Sequence, residues 1–198
     1  TLDAAYGSAL AVQNNETGFG DNVNELNAAY ATIDGTTLNL MLTGNLEGNF
    51  NKLELFFDTN AGGQNTIVNQ ADGNPDIDFG ALSASKLGGT TFDANFAPDF
   101  YLTFGHNGTD TFFNFAELLT GGGGEGLFVG SIPNTGGTVS ASTPVGGRNV
   151  SLGYALNNSN TAGVSDTTTT GAAAVTTGIE LSINLDAIDA IGEVFNVA

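Results

Sequence analysis

The chain has no cysteine and no tryptophan among its 198 residues, and three basic residues against 21 acidic ones. Without cysteine there is neither a disulfide framework nor a thiolate metal site, so packing must hold the fold together. A formal charge of −18 presents no positive footprint to a phosphate backbone, which excludes nucleic acid as an expected partner. The same charge excludes an anionic membrane surface, and no apolar run is long enough to insert into a bilayer. It suits calcium, a cationic partner or solubility outside a cell. Because the first residue is Thr1 rather than Met, the expectation is a processed, secreted protein.

Catalytic signatures are also missing. The sequence has neither a GxSxG elbow nor an HExxH helix. Its one histidine, His106, lies between Gly105 and Asn107, where it is expected as an exposed residue at a hairpin tip rather than a catalytic base. Glu47, Glu54, Asp58, Asp99, Glu117 and Glu180 offer many carboxylate pairs, and nothing in their spacing selects one. The four-glycine run at 121–124 has no following Lys-Ser/Thr, so it reads as a turn and not a phosphate loop. An enzyme is not expected.

What is present points to strands. A hydrophobic fraction of 40% is enough for a core, and 29 glycines with abundant Asn and Thr argue against a helix bundle. The organising stretch is 37–65, in which Leu38, Leu40 and Leu42 alternate with Asn39, Met41 and Thr43. After a turn-rich interval Leu53, Leu55 and Phe57 alternate with Glu54, Phe56 and Asp58, which predicts two neighbouring antiparallel strands sharing one apolar face.

Asp34-Gly35 predicts a hairpin of 28–33 with 37–43, and Asn107-Gly108 predicts another of 100–104 with 111–115. Further strands are expected at 127–132, at 138–141 paired with 149–155, and at 178–184, where Ile179, Leu181 and Ile183 alternate with polar residues. A short helical segment is expected at 185–191. The fold class is all-β: a single antiparallel sandwich over residues 1–198, jelly-roll-like in outline. Long amphipathic crossover helices, which a parallel sheet needs, are missing.

The best local metal hypothesis is the loop carrying Asp72, Asn74, Asp76 and Asp78. Oxygen-bearing residues at alternate positions converge if the loop curls, and hard oxygen ligands suit Ca2+. Asp58 and Asn60, just after the central strand, are candidates to complete the shell. A loop rich in Asx turns with no metal is the alternative, since Ile77 stands where a helix-loop-helix calcium loop needs glycine.

The termini suggest association. An apolar terminal segment that does not pair locally can add to a neighbour's open sheet edge. Residues 4–13, with Leu10 and Val12, and 193–198, with Val194, Phe195 and Val197, are the candidate assembly segments. A head-to-tail contact of this kind repeats into a filament, while the alternative has both termini lying back on their own sheets. Carbohydrate binding would normally use aromatic faces, and without Trp the polar aromatics are Tyr6, Tyr30, Tyr101 and Tyr154.

The segments GNLEGNFNKLELFFDTNAGGQN, YGSALAVQNNETGFGDN and GIELSINLDAI resemble secreted bacterial proteins of uncharacterised function that often carry a separate C-terminal sorting or membrane anchor. The resemblance implies an exported, mostly β domain and supplies no catalytic residues. The expected function is an extracellular structural protein, secreted or at the bacterial cell surface, that self-associates with copies of itself into a filament or surface assembly. A calcium-assisted carbohydrate-binding module, with extracellular polysaccharide as partner, is the alternative.

Overall fold

The computed structural model describes residues 1–15, 23–68, 87–164, 170–192 and 195–197. Two antiparallel sheets face each other across a shared core. Sheet A contains β1 (Ala11–Val12), β2 (Glu25–Asp34), β3 (Thr37–Asn45), β8 (Gly137–Ser140), β9 (Ser151–Leu156) and β10 (Gly178–Asn184), in the spatial order β1-β2-β3-β10-β9-β8. Sheet B contains β4 (Leu53–Asp58), β5 (Phe100–His106), β6 (Asp110–Glu117), β7 (Gly126–Pro133) and β11 (Asn196–Val197), in the order β11-β4-β5-β6-β7.

Both predicted hairpins form where the sequence places their turns. Gly35 at φ 58° closes β2 on β3, and Gly108 at φ 103° follows the buried end of β5 and turns into β6. The central pair differs from expectation. β3 and β4 do not hydrogen-bond to each other: β3 lies between β2 and β10, and β4 lies beside β5 in the opposite sheet. The reason is the interval between them, which carries the chain across the sandwich. Leu38, Leu40 and Leu42 therefore meet Leu55 and Phe57 through the core rather than along one face.

Aromatic rings fill the middle. Phe57, Phe104, Phe113 and Phe115 are fully buried, and Tyr154 sits edge-on to Phe104 and Phe113 at 5.8 and 5.1 Å. Each fully buried Phe contributes about 1.5–3 kcal/mol of transfer free energy. Two smaller clusters lie outside the sandwich. Phe56 and Tyr101 on the outer face of sheet B are covered by Phe92 and Phe96. Tyr30 and Met41 on the outer face of sheet A are covered by Tyr6.

The predicted short helix before the C-terminus is a single 3-10 turn, Leu185–Ile188. It stops because Asp189 adopts φ 52°, with its backbone N–H capping the turn's carbonyls. Arg148 ties this end together. Its guanidinium donates to Glu117 at 3.3 Å and Asp189 at 3.1 Å, with its Cζ 5.1 Å from the Phe100 ring centroid.

Candidate functional site

One border of the sandwich is closed and, among the described residues, the other is open. β7 and β8 belong to different sheets but are joined by only three residues, 134–136, and pack so closely that a Cβ at Gly130 would lie 2.5 Å from Val139 Cγ2. At the opposite border, six strands of sheet A face five of sheet B, and each outermost strand is two residues long. β11 pairs Asn196 with Asp58 and Val197 with Phe57. Among the described residues no strand continues along β4 at Phe56, Leu55, Glu54 and Leu53.

On the same border of sheet A, β2 is flanked by the two-residue β1. On its inward side Ala29 and Ala31 are only partly buried, and Ile33, cross-strand partner of Leu38, is 52% exposed. A cleft of about 330 Å³ opens where β4 begins, lined by Gln13, Asn24, Leu26, Asn45, Lys52 and Leu53. An unpaired stretch of sheet edge beside a cleft is what an added extended segment requires: free backbone groups and room for alternate side chains.

Both predicted assembly segments pair within their own chain. β1 lies on β2, with Leu10 N–H donating to Ala29 O at 2.8 Å and Gln13 N–H to Asn27 O at 2.7 Å. The side chains of Leu10 and Val12 nonetheless remain exposed. At the other end Phe195 packs against the core and Val197 is partly exposed beside Phe57. Val194 lies outside the described residues.

Of the six metal candidates, Asp72, Asn74, Asp76 and Asp78 also lie outside them. The two that are described have protein partners. Asp58 Oδ2 accepts from Ala97 N–H at 3.3 Å, and Asn60 Nδ2 donates to Asp189 Oδ2 at 3.1 Å. The turn after β4 is organised by Asp99, whose Oδ2 accepts the N–H groups of Thr59 and Asn60 at 2.9 and 2.8 Å. Among the described residues no three His, Asp or Glu side chains come together as a metal site.

Among the described residues the candidate carboxylates take other partners. Glu47 accepts from Asn49, Asp99 from the amides above, Glu117 from Arg148, and Glu180 from the Tyr6 hydroxyl. Glu54 differs: Oε1 accepts from Thr103 Oγ1 at 2.8 Å, while Oε2 is buried with no partner. Burial pushes the Glu54 carboxyl up to about 8, against weaker lowering by the Thr103 hydrogen bond and the Lys52 charge.

His106 is buried, contrary to the exposed tip its neighbours suggest. Gly108 N–H and Asn134 Nδ2 both donate to its Nδ1, which leaves Nε2–H as the donor to Leu46 O. The hairpin tip is Asn107-Gly108; the histidine before it is folded inward by partners distant in sequence. All four tyrosines are buried too, so none offers an open ring for stacking.

Searches of protein-family models, of curated proteins and of solved structures find no match to the chain. No helix among the described residues is long and apolar enough to cross a membrane.

Proposed function

We propose that this chain is an extracellular structural protein that assembles with copies of itself, an extended segment of one copy completing sheet B of the next. The observation that carries the reading is the edge of β4 from Phe56 to Leu53, along which no strand runs among the described residues, together with the only partly buried inward side of β2. The donor is the segment containing Phe195 and Val197. Its pairing with β4 involves two register pairs and Phe195 also packs against the core; on a neighbour the same contacts re-form at Asp58 and Phe57, and the incoming copy lies along the rest of the β4 edge.

Exchange that runs head to tail gives a filament. Each copy carries −18 charges, so assembly needs cations to lower the mutual repulsion. Calcium serves in this reading as a bridge or screen. Leu10 and Val12, exposed on the flanking edge of sheet A, widen the contact on the same border.

The absence of cysteine makes a direct test available. Asp58→Cys and Asn196→Cys are prepared separately and mixed under oxidising conditions, because these positions face each other across β4 and β11. The expected product is a mixed disulfide joining the two variants in excess of either self-linked dimer. Random linkage, or none, would contradict exchange through this edge.

A further inference from the structure

We infer that Phe50 and Phe112 form a stacking platform for a neutral oligosaccharide on the outer face of sheet B, a binding site separate from the β4 edge. The platform begins with a glycine. Residues 46–52 cross the outer face of β5 at Gly105, where a Cβ would lie 2.5 Å from Asn51 O. That close approach carries the loop toward β6 and sets the Phe50 ring 5.8 Å from Phe112, at 40° to it.

The loop is pinned rather than draped. Phe50 N–H donates to His106 O at 3.0 Å, and Asn51 N–H to Asn49 Oδ1 at 2.8 Å. Leu46 N–H donates to Asn158 Oδ1 at 3.0 Å, and Leu46 O accepts from Asn158 Nδ2 and from His106. Held this way, Phe50 adopts φ 65°, a left-handed conformation that is strained for a bulky side chain and free of strain for glycine. The core does not need the ring, which is 49% exposed. Strained residues cluster at ligand clamps and active sites, and here the strain displays an aromatic ring to solvent.

The surroundings choose the ligand. Phe112 is opposite Ser131, and Asn114 is opposite Phe128, a second ring exposed on the same face. Exposed rings beside hydroxyl and amide groups on a rigid sheet fit a sugar, whose C–H faces stack on aromatics while its hydroxyls take hydrogen bonds. A chain of −18 repels polyanions, and the ammonium of Lys52 lies 6.0 Å from the Phe50 ring centroid. A cationic ligand would meet the Lys52 ammonium beside the ring, so the assigned ligand is uncharged.

The test is calorimetric titration of the intact protein with cellohexaose, laminarihexaose, xylohexaose and mannohexaose, alongside an oligolysine control. Saturable binding to at least one of the four sugars is expected, with Phe50→Ala and Phe112→Ala each weakening it by about tenfold. Phe50→Gly should lose affinity equally while leaving Tm unchanged or higher, because it relieves the left-handed backbone. Silence across all four sugars, saturation by oligolysine alone, affinity undiminished in both alanine variants, or a Tm lowered by Phe50→Gly would each overturn the assignment.

Discussion

The imidazole of His106 donates from Nε2 to the carbonyl of Leu46, 60 positions earlier in the chain, and fixes the path by which β3 crosses to β4. The other ring nitrogen accepts from Gly108 and Asn134, so all of its hydrogen-bonding capacity is used inside the protein. Replacing His106 by alanine takes one donor from the buried Leu46 carbonyl, which keeps Asn158 Nδ2, removes the acceptor of Gly108 N–H and Asn134 Nδ2, and empties the buried site of the ring. We expect His106→Ala to lower stability by about 2–3 kcal/mol in urea unfolding, and a change within 0.5 kcal/mol, about the scatter of surface substitutions, would deny the residue this role.

Gly105 is tied to the same crossing. A methyl group there collides with the backbone of Asn51, so Gly105→Ala must displace residues 46–52 or strain β5. A loss of about 1–3 kcal/mol is expected in the denaturation midpoint, together with increased solvent exposure of Phe50 in hydrogen-exchange or quenching measurements.

Glu54 makes stability depend on pH. Its ordinary value of 4.5 is raised to about 8 in the folded chain by burial. Between those values the folded protein holds a proton that the unfolded chain has released, so stability declines as pH rises from about 4.5 to about 8 and levels off above that. The loss from this group is on the order of 5 kcal/mol. Glu54→Gln keeps an uncharged polar side chain and should flatten the profile in that window; an unchanged profile would show that the folded carboxyl titrates normally.

Much of the fold was legible in the sequence because strands carry a period of two and tight turns carry glycine. Leu38, Leu40, Leu42 and Ile179, Leu181, Ile183 point inward as their alternation requires, and Asp34-Gly35 and Asn107-Gly108 turn where expected. Alternation names the inward face and not the partner strand, which is why β4 reads as a neighbour of β3 although it belongs to the other sheet. His106 was hidden for a related reason: its sequence neighbours are turn residues, while Leu46 and Asn134, which bury it, are 60 and 28 positions away. The display of Phe50 had a weak signal in retrospect, an aromatic set among Gly48, Asn49 and Asn51. Nothing in the spacing could reveal its left-handed backbone.

Arg148 joins three parts of the chain that local sequence leaves unconnected. It reaches Glu117 and Asp189 with separate nitrogens and lies over Phe100. Because both ion pairs are partly solvent-screened, Arg148→Met is expected to lower stability by only about 1 kcal/mol. Arg148→Lys should recover little of it, since one ammonium cannot serve two carboxylates and stack as a plane. Full recovery by lysine in a thermal melt would mean that charge alone matters here.

If, as we propose, another copy fills the edge of β4 along which no described strand runs, the intact protein polymerises. The most direct measurement is the mass and shape of the intact protein by static light scattering with negative-stain microscopy, in calcium and in chelator, compared with Val197→Pro. Long regular polymers are expected in calcium, shortened in chelator, and abolished by the proline, which removes a backbone donor from the exchanged strand. A stable monomer under both conditions would contradict it.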